Sequence, residues 1–183
     1  VEEILNGDIH TLNQKNAGLE TRDQAKTFIY AFLYGAGSKK IGSIVGSGAK
    51  KGKELIDNFL EQTPSLALLR NRVTHEAGRG WLRGLDNRKI WVRSPHSALN
   101  TKLQGAAAVV MKKALILFAK GLTDDVKIVA NVHDEWQVEC ADTDGNLVGK
   151  LGVSAIIRAG HEFNLNCPLN GEYKLGSNWS ETH

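Results

Sequence analysis

The sequence predicts an α+β protein that is mostly helical and carries a small antiparallel sheet. Three observations predict it. Ala25, Phe28, Ile29 and Phe32 fall at i, i+3, i+4 and i+7, the spacing of a helix face turned toward a core. Residues 97–120 form a long, mostly apolar stretch of helical length. Val126, Ile128, Ala130 and Val132 alternate, and after a short polar break Trp136, Val138 and Cys140 alternate again, which reads as two strands joined by a tight turn.

The elements follow in order. Residues 1–20 are a polar lead-in with a short helical stretch. Thr21 opens the first strong helix, and Gln24 three residues later completes a capping-box pattern. Gly35 and Gly37 stop that helix, because glycine takes the left-handed conformation at a helix C-terminus without penalty. A glycine-punctuated segment runs to about residue 48. Helices are expected near 49–61 and 65–78, divided at Pro64, and a hairpin over Gly84–Arg93 around Asp86-Asn87. The helix over 97–120 and strands over 126–132 and 136–140 come next. A helix near 146–163 and a strand near 170–174 close the chain. No repeat, low-complexity tract or linker interrupts it.

Composition bounds the function classes. With 183 residues the chain is long enough for one domain with a real core, or for a piece of something larger. No apolar run reaches the length of a membrane-spanning helix, and no charged-then-apolar leader opens the chain. The first residue is Val1 and not Met, which is compatible with further chain upstream. Cys140 and Cys167 stand alone without a CxxC pair, which fits reduced thiols better than a disulfide scaffold or a zinc site. Net charge is only +3, from 23 Lys and Arg against 20 Asp and Glu, too little to identify a nucleic-acid partner. The distribution says more. Lys39, Lys40, Lys50, Lys51 and Lys53 cluster, as do Arg70, Arg72, Arg79, Arg83, Arg88, Lys89 and Arg93. These are either solvated helix faces or a surface that tracks phosphates.

Two constellations carry chemistry. Arg22, Lys26, Tyr30 and Tyr34 are spaced by four, so at about 100° per residue they form a slowly drifting stripe beside the apolar one. Cations in the first turns of a helix oppose its positive terminus, a penalty that a bound anion reverses. An exposed cationic face is the plainer alternative. His133, Asp134 and Glu135 stand at the turn between the two alternating strands. Carboxylates on a rigid hairpin tip suit magnesium, whose remaining ligands are waters and phosphates; an ordinary charged turn is the alternative. Three decoys fall away. Gly42-Ser-Ile-Val-Gly46-Ser-Gly48 lacks the spacing of a phosphate loop, Asp142-Thr-Asp144-Gly145 is too short for a calcium loop, and nothing in the sequence indicates secretion to make Asn178-Trp179-Ser180 a glycosylation site.

Taken together, Arg22-x-x-x-Lys26-x-x-x-Tyr30-x-x-x-Tyr34-Gly35 resembles motif B of the family A DNA polymerases, the family of bacterial DNA polymerase I and the phage replicases. Val132-His133-Asp134-Glu135 resembles motif C, and Asn100-x-x-x-Gln104-Gly105 resembles the segment that touches primer and template. Gly7-Asp8-Ile9-His10-Thr11 is most similar to the phage branch. The resemblance runs from about residue 3 to the end. It implies a fingers subdomain over about 8–80 and part of an antiparallel palm over about 81–183, with motif C on the hairpin at 126–140.

The resemblance also implies roles. His10, Arg22 and Lys26 grip the incoming deoxynucleoside triphosphate, Lys26 with the option of protonating the leaving pyrophosphate. Tyr30 sits over the nucleotide, and Tyr34 and Gly35 border the templating base. Asp134 holds catalytic Mg2+, two ions being expected in the complete enzyme, with Glu135 in support. His133, Asn100 and Gln104 touch the duplex near the primer end. The resemblance places His96 among the DNA contacts too, at a position where many members carry Arg. No Asp-x-Ser-x-x-Glu pattern, the family's motif A, occurs in these residues. The expectation is therefore that a further segment, or a companion polypeptide with motif A and the thumb, completes the site, and that the 183 residues alone do not polymerise. The expected partners are primer-template DNA and deoxynucleoside triphosphates, with no membrane. If phage-encoded, the protein works in the cytoplasm of a bacterial host. A non-catalytic module that binds DNA or nucleotide is the second reading, and a metal nuclease built on Asp134 and Glu135 the third.

Overall fold

The computed structural model describes residues 2–182. Nine helices and four strands occur among them: α1 Glu2–Leu5, α2 Ile9–Ala17, α3 Arg22–Leu33, α4 Ser38–Ile44, α5 Ala49–Gln62, α6 Pro64–Ala77, β1 Trp81–Arg83, β2 Lys89–Trp91, α7 Ala98–Ala119, β3 Lys127–Val132, β4 Glu135–Glu139, α8 Gly145–Glu162 and α9 Trp179–Thr182. A 3-10 turn, Pro95–Ser97, precedes α7. The architecture is α+β, with β1–β2 and β3–β4 each an antiparallel pair. The chain divides into two compact units, residues 1–104 and 105–183.

The first unit is built on α2 to α5. Phe28, Phe32 and Phe59 meet in its core at 5.3–6.1 Å between ring centres, with Ala25, Ile41 and Leu55 fully enclosed around them. The predicted stripe on α3 is the buried one: Ala25, Phe28 and Phe32 face inward and Ile29 packs at the margin. The Thr21–Gln24 capping box forms, so two free N–H groups of the α3 terminus are satisfied reciprocally. At the other end Gly35 takes φ 80°, and the Ala36 N–H reaches back to the Ala31 carbonyl, closing the helix. The glycine-punctuated segment is itself helical, α4. It lies so close to α5 that a Cβ at Gly52 would strike the Ser38 carbonyl. Of the glycines that suggested a phosphate loop, Gly42 serves this close packing: a Cβ there would strike the Gly48 carbonyl. A smaller cluster joins Val73, Ala77, Leu82 and Ala98 beneath the β1–β2 hairpin, whose turn carries Asn87 at φ 66°.

In the second unit Phe118, Val126, Val148 and Ala155 form the core, and Phe118 stacks on Trp136 at 5.1 Å. Here the structure departs from the sequence reading twice. The expected strand at 170–174 is absent: the segment joins neither strand pair, and its side chains pack on α8. The Tyr173 ring covers Gly149, and its hydroxyl donates to Asn146 Oδ1 at 3.1 Å. The alternation in β3 is also broken. Ile128 pairs with Val138 and Ala130 with Gln137, leaving Val129 as a bulge. Val126 and Ile128 join the core as expected, but beyond the bulge Val132 is exposed.

Candidate functional site

The first group of candidate residues lies in the first unit. Arg22, Lys26 and Tyr30 on α3, and Tyr34 at its C-cap, are all exposed, on a side of the helix that the core does not use. α2 lies alongside, and its Asp8 is the centre of the local electrostatics. Asp8 caps α2, its carboxylate accepting from the backbone N–H of His10 (3.0 Å) and Thr11 (3.3 Å) and from the Thr11 hydroxyl (2.9 Å). The same carboxylate holds Arg22 with both oxygens, Oδ2 on Nε at 2.7 Å and Oδ1 on Nη2 at 3.2 Å. The Arg22 guanidinium first, then the Thr11 hydroxyl and the helix N–H groups, keep the Asp8 carboxyl well below the usual carboxylate range. In return Asp8 raises the already high pKa of Arg22. Sequence reading noted Asp8 only within a family-like string. Its place four residues ahead of Leu12 and before His10-Thr11 is a capping signal, but the link to Arg22 depends on how α2 docks on α3.

His10 is half-buried, its ring 6.4 Å from that of Tyr30. Its Nδ1 is enclosed and has no hydrogen-bond partner among the described residues, a state that a water or polar ligand relieves. The structure thus brings His10, Arg22 and Tyr30 together around the α2–α3 pair, with Lys26 on the next turn. Chemically, an exposed Arg and Lys near the N-terminus of a twelve-residue helix are groups that an anion can pair with.

Tyr34 and Gly35 end α3. A Cβ at Gly35 would strike the His96 carbonyl, so the end of α3 touches the 3-10 turn before α7. His96 is exposed, Asn100 half-buried on the first turn of α7, and Gln104 exposed one turn on. The basic clusters resolve into two kinds. Lys51 pairs with Glu54 at 2.6 Å and Lys53 with Asp57 at 2.5 Å, ordinary helix-face pairs. Arg70 lies over the Phe32 ring at 5.5 Å.

The second group lies in the second unit. His133 and Asp134 form the two-residue loop between β3 and β4, with Val132 opposite Glu135. His133 takes φ 53°, the left-handed conformation such a loop demands, which His tolerates better than most residues. Asp134 projects from the tip, exposed, and no hydrogen bond or ion pair engages it among the described residues. Glu135 differs. Its Oε1 accepts from Gln137 Nε2 at 2.5 Å and from the Trp179 indole N–H at 3.0 Å, which anchors α9 against the hairpin together with Thr182 on Gln137. Trp179 escaped the sequence reading, since a partner 44 residues away leaves no local signal. Burial pushes the nearby Cys140 thiol up, away from the reactive thiolate. Among the described residues no three His, Cys, Asp or Glu side chains converge to enclose a metal ion. No helix is long and apolar enough to cross a membrane.

A helical unit with a cationic, aromatic helix face, followed by a long helix and a hairpin with a carboxylate at its tip, defines a polymerase-domain class of fold. The chain superposes on the POL domain of Pol1 from M. smegmatis, solved in complex with DNA primer-template and dNTP, with a TM-score of 0.74 over 84% of this chain and 31% of that one. At 19% identity this is a likeness of fold. The family model for DNA polymerase family A matches residues 5–181, and the chain belongs to that family. It is 47% identical to the DNA-directed DNA polymerases of Enterobacteria phage T3 and Escherichia phage T7, over 99% of its own length, and 45% identical to that of Escherichia phage Phieco32. It spans 29% of the length of the T3 and T7 relatives.

Proposed function

We propose that this region serves template-directed DNA synthesis, the transfer of a nucleotidyl group from a deoxynucleoside triphosphate to a primer 3' end, and supplies the nucleotide grip and one metal-binding carboxylate. The observation that carries this is the exposed α3 face. Arg22, Lys26 and Tyr30 recur there every fourth residue, with His10 beside Tyr30 and Arg22 held by Asp8. Arg22 and Lys26 bind the triphosphate by charge-assisted hydrogen bonds, strengthened by the α3 terminus. Lys26, the flexible ammonium, is placed to hold a proton for the departing pyrophosphate. His10, beside Tyr30, joins the phosphate contacts. Tyr30 covers the sugar and base, Tyr34 and Gly35 border the templating base, and His96, Asn100, Gln104 and His133 meet the duplex. In this reading residues of about 8–80 are the fingers and those from about 81 onward part of the palm.

The donor set at the β3–β4 tip fits Mg2+. Asp134 presents exposed carboxylate oxygens that nothing else engages, and hard cations take oxygen ligands. When bound there, Mg2+ supplies charge neutralisation for phosphoryl transfer, and a two-ion arrangement requires further carboxylates beyond Asp134. Glu135, tied to Gln137 and Trp179, holds the shape of the tip. The phage relatives are DNA-directed DNA polymerases and the structural neighbour holds primer-template and dNTP, which supports DNA and nucleotide as partners here. The lack of a three-ligand cluster among the described residues favours a second reading for the 183 residues by themselves: they bind nucleotide and DNA without chemistry.

The test is a chimera in which these residues replace the matching stretch of the Escherichia phage T7 relative. Primer extension with magnesium is expected from the chimera. Asp134→Ala should abolish it. Lys26→Ala should lower nucleotide affinity by about tenfold or more, the size of one charge-assisted bond. A chimera that folds and extends equally well with Asp134→Ala would refute the assignment. Nucleotide binding without extension by the isolated 183 residues would support the second reading for them.

A further inference from the structure

The β1–β2 hairpin has two faces of opposite character. Trp81 pairs with Trp91, Leu82 with Ile90 and Arg83 with Lys89. Directly opposed residues of an antiparallel pair share a face, and neighbours along a strand alternate. Leu82 and Ile90 therefore share the inner face, where Leu82 is fully enclosed against Val73, Ala77 and Ala98. Trp81, Trp91, Arg83 and Lys89 share the outer face. The Arg79 guanidinium lies 3.7 Å from the Trp81 ring centre and the Lys89 ammonium 4.9 Å from it, so Trp81 is already occupied by cations. Trp91 is 75% exposed, the most exposed large apolar side chain among the described residues, and no ring or cation stacks on it.

This face is unfavourable as it stands. Arg83 opposite Lys89 is a like-charge cross-strand pair, which destabilises a ladder. No carboxylate pairs with Arg83, Lys89 or Arg93 among the described residues; the turn's Asp86 is taken by Arg88 at 2.5 Å. An isolated charged surface would be solvated without an indole, and an isolated indole would be hidden. Unpaired cations around an exposed, flat aromatic call for a ligand that is both polyanionic and aromatic. A single nucleic-acid strand is that ligand: its phosphates answer the cations and its unpaired bases offer π faces to an indole. In a duplex the base faces are already stacked, and an acidic peptide offers charge but nothing for Trp91.

We propose that the outer face of the β1–β2 hairpin is a platform for single-stranded nucleic acid, with Trp91 stacking on an unpaired base and Arg83, Lys89 and Arg93 holding the flanking phosphates. The inference uses the hairpin alone and does not rest on the nucleotide and duplex roles given above. Recognition is tolerant of sequence, since every base has a face to stack.

The experiment titrates the 183-residue chain with a fluorescently labelled oligothymidylate, with an abasic strand of equal length and charge, and separately with a duplex. The chain should bind the oligothymidylate about tenfold more tightly than the abasic strand, the order of one stacked base. Trp91→Ala should erase that difference, and Trp91→Phe should retain most of it. Because Trp91 is exposed, both variants should keep the circular dichroism spectrum of the parent chain. Binding should also quench tryptophan fluorescence in the parent chain more than in Trp91→Ala. Equal affinity for the base-bearing and abasic strands, or unchanged affinity in Trp91→Ala, would overturn the proposal. So would displacement of the strand by polyglutamate as readily as by unlabelled oligothymidylate, which would mark the face as a reader of charge alone. A duplex can share the phosphate contacts of Arg83, Lys89 and Arg93 but offers no unpaired base, so Trp91→Ala should leave duplex affinity unchanged; an equal loss for duplex and single strand would overturn the stacking role.

Discussion

Five hydrogen-bond donors converge on the Asp8 carboxylate: the His10 and Thr11 backbone N–H groups, the Thr11 hydroxyl, and Nε and Nη2 of Arg22. One side chain thereby starts α2 and ties it to the first residue of α3. All of these contacts need the ionised carboxylate, and its pKa is depressed in the folded chain. The sign follows. The contribution to stability is fully present above the ordinary aspartate value of about 3.9 and is lost as pH falls from there through the lower folded value. The melting temperature of the parent chain should therefore drop through this acid window, and Asp8→Asn should begin lower at neutral pH and drop less. Both side chains are about half exposed, so added salt should shrink the difference. Superimposable pH curves for parent and Asp8→Asn would show that the pair carries no pH-dependent stability. At this scale the sequence was legible where periodicity governs: Lys26, Tyr30 and Tyr34 are exposed because Ala25, Phe28 and Phe32 are not. Asp8–Arg22 and Glu135–Trp179 were not legible, because each joins segments that only folding brings together.

Among the elements, the helices read well because each carries its own start and stop. α3 has Thr21 and Gln24 at one end and Gly35 at the other; α6 begins at Pro64; α7 and α8 fall within two residues of the expected bounds. The errors sit where a neighbour decides. Residues 170–174 have strand-like composition, but α8 claims Tyr173, and the bulge at Val129 turns Val132 outward. The glycine punctuation up to about residue 48 hides α4, because that helix is only seven residues long and owes its place to α5. That debt gives a prediction. Gly52 is buried, and a Cβ there would collide with the Ser38 carbonyl and crowd the Gly42 amide, both backbone groups that cannot swing aside. Ala is otherwise the better helix former by about 1 kcal/mol, so propensity alone predicts stabilisation by Gly52→Ala. Overpacking of about 1–3 kcal/mol or more opposes it and should win, because the contact is backbone on backbone. Gly52→Ala should therefore lower the denaturant midpoint, whereas the exposed Gly48→Ala should lower it less. An unchanged or raised midpoint in Gly52→Ala would mean that α4 gives way at little cost.

For the molecule as a whole, net charge is a poor guide and its distribution a better one. A surplus of +3 would make DNA binding weak if it were spread evenly. The structure instead spends many acids locally: Glu54, Asp57 and Asp86 each pair with a neighbouring cation, and Asp8 with Arg22. Arg72, Arg83, Lys89 and Arg93 are left exposed without a carboxylate partner among the described residues. Phosphates reaching these cations would release condensed counterions, and each contact adds about 0.9 to the slope of log affinity against log salt for duplex DNA. Duplex binding by the chain should therefore fall steeply with salt, with a slope of about −3 or steeper if four such cations engage. Because phosphate contacts carry no base information, affinity should be nearly the same for duplexes of unrelated sequence. Replacing Arg72 by Ala should weaken all of them alike and reduce the slope by about 1. Removing Lys53, already paired with Asp57, should leave the slope unchanged. The measurement is anisotropy of a labelled primer-template across a salt series, run on the parent and both variants. A shallow slope in the parent, or a strong preference for one sequence, would contradict the phosphate-tracking surface and leave the exposed cations as solvated faces.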